Sequence, residues 1–139
     1  MPYIVSYQQY ITALVTKQLR LPYDSNHRPI GTELATLANG ITYVSIPDGV
    51  TLPTDQPQEI LGSIAKIELT PELKDEIKAV SPHVRLINER VAAGIAERYS
   101  LADEIKLLRT APSSEFNTYN AYAEECRAWG RIEKTKLGL

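Results

Sequence analysis

Residues 33–46 read Glu33-Leu34-Ala35-Thr36-Leu37-Ala38-Asn39-Gly40-Ile41-Thr42-Tyr43-Val44-Ser45-Ile46. Two segments of β-forming and apolar residues flank an Asn-Gly pair, which suits the two left-handed positions of a type I′ turn. The stretch is therefore expected to be a β-hairpin. Further along, residues 63–69 alternate, with Ala65, Ile67 and Leu69 on one face and Lys66 and Glu68 on the other, as in a half-buried strand. A lone hairpin is marginal in water, so this strand is expected to join it in a small antiparallel sheet, unless a partner chain completes it.

Before the hairpin, Tyr7, Tyr10, Ile11, Leu14, Val15 and Gln18 recur at helical spacing behind the capping hydroxyl of Ser6. They predict an amphipathic helix over 7–20, ended by Leu21-Pro22. Tyr23 to Pro29 is rich in turn formers and reads as a loop. Between hairpin and strand, residues 47–62 carry Pro47, Pro53 and Pro57, which favours a stiff, extended connector or a segment wrapped on a neighbouring surface.

After residue 69 the signals become helical. Thr70-Pro71 and Ser81-Pro82 each put a capping hydroxyl before a proline at the first helical position, where its missing N–H costs nothing. Leu73, Ile77 and Val80 line the first helix, and Val84, Ile87, Val91, Ile95 and Tyr99 line the second. Ser100 and Asp103 suit a capping box for a helix through Leu108, and Pro112-Ser113-Ser114 restarts the chain for a last helix to about Thr135. Gly94 weakens its helix and is expected to admit a close neighbour. The predicted fold class is α+β: an N-terminal helix, a small sheet and a linker over 47–62 in a region 1–69, then a helical region 70–139 of three to four helices.

Charge divides at the same place. Residues 1–69 hold four basic and six acidic groups, whereas 70–139 hold eleven of each, as expected for helix faces laced with ion pairs. The 139 residues, 43% hydrophobic, suffice for one compact domain or two small lobes. A net charge of -2 supplies no field to gather phosphates or anionic lipid, so neither nucleic acid nor a membrane is an expected partner. The start, Met1-Pro2-Tyr3-Ile4-Val5, lacks the basic and long apolar regions of a signal peptide, so residence in a cytosol or in something assembled there is expected.

Candidate chemistry is sparse. The single cysteine, Cys126, has no histidine near it in sequence and reads as an inert thiol. His83 reads as a neutral surface imidazole at a helix start. Asp24, His27 and Asp48 would have to supply any hydrolase site, and a solvated loop histidine is the plainer reading of His27. No zinc set, phosphate-cradling glycine loop or nucleophile elbow is present, so no cofactor, metal or catalytic residue is assigned and an enzyme is not expected. The candidate surface is a stripe on the last helix, Phe116, Tyr119, Tyr122 (or Ala123), Cys126, Trp129 and Ile132, recurring every three or four residues. It reads either as core packed on the helix of Val84 to Tyr99 or as an interface with another protein, where Tyr and Trp are favoured anchors.

Tyr99-Ser100-Leu101-Ala102-Asp103-Glu104-Ile105-Lys106-Leu107-Leu108-Arg109, Tyr119-Asn120-Ala121-Tyr122, Cys126-Arg127-Ala128-Trp129-Gly130-Arg131 and Lys136-Leu137-Gly138 together resemble the C-terminal segment of small tail-associated proteins of tailed bacteriophages. Gly40 to Val44 and Ile46 to Pro53 resemble the hairpin and proline linker placed before it. The resemblance implies a structural protein of the tail or baseplate that connects to a fibre, located in the virion and assembled in the host cytoplasm. Its implied partners are other tail or fibre proteins and further copies of itself, with three helical ends around an axis the simplest match to a fibre. A fibre-assembly chaperone, absent from the finished particle, is the alternative with similar surfaces.

Overall fold

A computed structural model describes residues 2–139. The elements in chain order are β1 (Tyr3–Gln8), β2 (Tyr10–Ile11), β3 (Thr16–Lys17), β4 (Thr32–Thr36), β5 (Ile41–Ile46), α1 (Gln58–Leu61), β6 (Ala65–Ile67), α2 (Pro71–Val80), α3 (Pro82–Ala96), α4 (Leu101–Arg109) and α5 (Ser114–Lys136). The class is mixed α+β, with a four-stranded antiparallel sheet ordered β4-β5-β1-β6 and a two-stranded sheet of β2 and β3. The chain forms two compact units, one running to Val84 and including Lys136–Leu139, the other spanning Arg85–Thr135.

The N-terminal helix expected over 7–20 does not form. Its first residues belong to β1, which lies between β5 and β6 with Val5 opposite Val44 and Ile4 opposite Ile67. Tyr3, Val5 and Tyr7 face one side and Ile4 the other. Both sides are covered, so β1 reads as a near-continuous apolar run in which the period-2 signal is muted. The helical spacing was a coincidence between a buried strand and an exposed turn: Tyr7 is 2% exposed, whereas Leu14 is 93% exposed. Thr12 builds that turn, its N–H donating to the Val15 carbonyl and its Oγ1 accepting from the Leu14 and Val15 amides.

The hairpin forms as β4 and β5, though not through a type I′ turn. Gly40 alone takes a positive φ, +81°, while Asn39 does not. The Gly40 amide donates to the Leu37 carbonyl and the Leu37 amide to the Ile41 carbonyl. That pattern is a three-residue loop whose single left-handed position falls to glycine. Asn39 Oδ1 accepts from the Ile41 amide at 3.0 Å, an Asx-type bond that satisfies an amide at the end of the loop. The strand expected at 63–69 is present as β6, but it pairs with β1 and not with the hairpin.

Each face of the sheet has its own cover. Val5, Tyr7, Val44 and Ile46 pack with Leu19, Val50, Leu52 and Ile60. The proline-bearing segment 47–62 is thus no free connector. It lies on its own sheet, fastened by the Tyr3 hydroxyl on the Val50 carbonyl and by Gln56, whose side chain accepts from the Arg20 amide and donates to the Arg20 and Pro53 carbonyls. The opposite face, with Ile4, Leu34, Ala35 and Tyr43, packs with Leu73 and Ile77 of α2 and with Leu137 and Leu139 of the C-terminal tail. A bulge between Glu33 and Ala35 lets both Leu34 and Ala35 enter that core.

The helix starts follow the local signals. Thr70 Oγ1 accepts from the Leu73 amide, Ser81 Oγ from the Val84 amide and Ser113 Oγ from the Phe116 amide. Ser100 and Asp103 form the reciprocal capping box, at 3.1 and 3.0 Å. The hydrogen bond from the Ser100 amide, with help from its hydroxyl and from Lys106, holds the Asp103 carboxyl below the ordinary carboxylate value.

Tyr7→Ala should cost about 3–5 kcal/mol in urea unfolding, as truncation of a buried aromatic does, and Leu14→Ala should stay within about 0.5 kcal/mol; comparable losses at both positions would restore the helix. Because the Asp103 carboxyl is depressed in the folded chain, its stabilising contribution is present above the unfolded value of about 3.9 and is lost as pH falls through the folded value. Acid titration followed by circular dichroism should therefore melt α4 earlier than in Asp103→Asn, whose side chain accepts the same bond without titrating.

Candidate protein interface

In the unit Arg85–Thr135, α3 and α5 run antiparallel, as their contacts require: Gly130 lies against Ile87 and Val91, while Tyr122 reaches Gly94. The core here is Ile95, Tyr119 and Ala123, with Val91, Tyr99, Leu107, Phe116 and Cys126 packed around it. Tyr99 and Tyr119 meet edge to face with centroids 4.9 Å apart, and Phe116 and Tyr119 are 6.2 Å apart. The Tyr122 hydroxyl donates to the Gly94 carbonyl at 2.5 Å, and the Arg98 guanidinium lies over its ring at 4.2 Å. Burial of Tyr122, followed by its hydrogen bond with Cys126, raises its phenol above the usual tyrosine value.

The aromatic stripe of the last helix is therefore divided along its length. Tyr119 is buried, Phe116 is half-buried at the edge of the same core, and Tyr122 is half-buried between Tyr99 and Gly94. Trp129 and Ile132 remain 39% and 56% exposed. Trp129 borders an open groove of about 420 Å³ whose other walls are Arg90, Val91, Gly94, Tyr122, Glu125 and Cys126. Cys126 is a free, partly buried thiol in that wall.

Two further apolar surfaces escaped the sequence reading. On α4, Leu101, Ile105 and Leu108 are 72%, 45% and 61% exposed, and their i, i+4, i+7 spacing makes one outward stripe. The spacing is visible in the sequence, but nothing in it says which face of a nine-residue helix is left uncovered. In the other unit, Ile11, Leu14 and Val15 crown the β2–β3 turn.

The residues weighed for chemistry occupy exposed positions. His27 sits at φ 58° in a loop organised by Asp24, whose Oδ1 accepts from the Asn26 and Arg28 amides. His83 is exposed on the first turn of α3, and Asp48 is exposed beyond β5. Among the described residues no three His, Cys, Asp or Glu side chains are grouped to hold a metal ion, and no helix is long and apolar enough to cross a membrane. No protein-family model, curated protein or solved structure matches the chain.

The two helix glycines differ in the space around them. A Cβ at Gly130 would lie 2.7 Å from Val91 Cγ2, whereas one at Gly94 would lie 3.4 Å from Cys126 Sγ, an ordinary contact. The close approach thus belongs to Gly130, and Gly94 leaves room. Gly94→Ala should stabilise by up to about 1 kcal/mol through helix propensity. Gly130→Ala should be net destabilising, because the stiff Val91 side chain must move and overpacking costs about 1–3 kcal/mol. Thermal unfolding of the two variants reads the difference, and equal shifts would contradict this packing.

Proposed function

We propose that the protein is a non-enzymatic structural component of a phage tail, an adaptor between the tail or baseplate and a fibre that works through protein–protein contacts. The observation that carries the adaptor reading is that each compact unit has its own exposed apolar surface. The β2–β3 tip, with Ile11, Leu14 and Val15, belongs to one unit, and Trp129 and Ile132 of α5 belong to the other. An adaptor needs two such surfaces, because a protein that links two neighbours cannot present both with the same patch. The tail assignment comes from the sequence resemblance, which also implies residence in the virion after assembly in the host cytoplasm.

The first of these surfaces suits a protein better than a charged polymer. The β2–β3 arm carries a single charge, Lys17, between Gln8 and Leu19. Tyr122 is a poor probe of the outer surface, because truncating it also removes its bond to Gly94 and the stacking of Arg98. Trp129→Ala with Ile132→Ala is the cleaner pair. Leu14→Asp should abolish incorporation at one junction and the Trp129/Ile132 pair at the other, with circular dichroism and melting unchanged. Quantitative mass spectrometry of purified particles checks this: the adaptor is stoichiometric in the wild type and lost in the variants, whereas absence from wild-type particles would instead indicate the transient fibre chaperone.

A further inference from the structure

We infer that the groove between α3 and α5 is a self-association site, closed by the same groove of a second copy related by a two-fold axis. A two-fold contact buries one patch against itself, so the patch must hold both halves of every complementary feature. This groove does. Trp129 stands 39% exposed at its border, and Gly94 leaves a stretch of wall with no side chain. The exposed indole of one copy can fill the recess of the other, in both directions at once.

Charge argues for the same occupant. Arg90 and Glu125 both line the groove, and both are exposed. Neither side chain has an ion-pair partner among the described residues, although Arg85 pairs with Glu89, Arg131 with Glu124, and Arg98 stacks on Tyr122. One cation and one anion beside an apolar patch match a second identical patch, because a two-fold contact that sets Arg90 of one copy against Glu125 of the other makes that pair twice. Pairs at the edge of a dry contact contribute to specificity and register more than to bulk affinity. A foreign helix of uniform charge would gain from one of the two groups and be repelled by the other.

The inference rests on the adaptor reading and deepens it: the Trp129 surface becomes a junction between two copies, the β2–β3 tip and the outward stripe of α4 are left for the neighbours, and the test keeps the two separate. Sedimentation equilibrium of the full chain, across micromolar to submillimolar concentrations, gives the dimer dissociation constant for the wild type, Arg90→Glu, Glu125→Arg and the double variant. Each single reversal should weaken the dimer by roughly tenfold or more, and the double reversal should recover most of that loss, because the crossed pairs are re-formed with opposite sense. Trp129 is the only tryptophan, so its emission should shift to the blue as the wild type dimerises. All four proteins should keep the same helix content, since both positions are exposed. A wild type that stays monomeric throughout, or a double variant no better than the worse single, overturns the two-fold contact. Incorporation into particles, measured separately, decides the adaptor reading whichever way the dimer falls.

Discussion

The sheet unit depends on β1 lying between β5 and β6. This strand alone joins the hairpin to β6, and it supplies apolar side chains to both faces: Val5 and Tyr7 to one core, Ile4 to the other. Each such side chain contributes about 1.5–3 kcal/mol when fully buried, and each is buried only while the cover on its own face is in place. One cover is the segment from Pro47 to Leu61, and the other is α2 with the tail at Leu137 and Leu139. The first strand of the chain is therefore held by its last residues. Thr42, wholly buried beside Tyr7, is tolerated because its hydroxyl lies 2.8 Å from that of Thr36.

What could be read from the residues was whatever is encoded locally. The caps at Thr70, Ser81, Ser100 and Ser113 each work across three or four residues, and every one of them starts a helix where expected. The hairpin was legible for the same reason, since Asn39-Gly40 and its flanks settle the pairing without help from elsewhere. The N-terminal helix was misread because the deciding information is not local. Tyr7 and Leu14 look alike in a pattern of apolar spacing, and only the tertiary neighbours of β1 make the first a core residue and leave the second at a turn tip. The same holds for Pro47, Pro53 and Pro57: prolines stiffen a segment whether it spans a gap or lies on a sheet, and Gln56 with Val50 decides between the two.

The candidate interface was legible to a similar degree. Helical spacing identified Phe116, Tyr119, Tyr122, Trp129 and Ile132 as one stripe, and they do lie on one helix with a shared core partner at their N-terminal end. Spacing cannot report how far a neighbouring helix extends along that stripe. The outward stripe of α4 went unnoticed for the mirror reason: its periodicity is ordinary for a helix with a covered face, and coverage is a property of the packed unit.

The exposure of Trp129 follows from its neighbour in sequence. Gly130 brings α5 so close to α3 that Val91 would touch a Cβ there. Consecutive residues on a helix project about 100° apart, so a glycine in the centre of the contact turns the preceding side chain to its margin, where an indole too large for the crossing can be accommodated. Internal packing and the outer groove are thus one arrangement: the crossing at Gly130 sets the angle at which Trp129 leaves the helix, and Gly94 on the facing helix leaves the hollow beside it. Any interaction made by that indole is already constrained by the contact that holds α3 and α5 together.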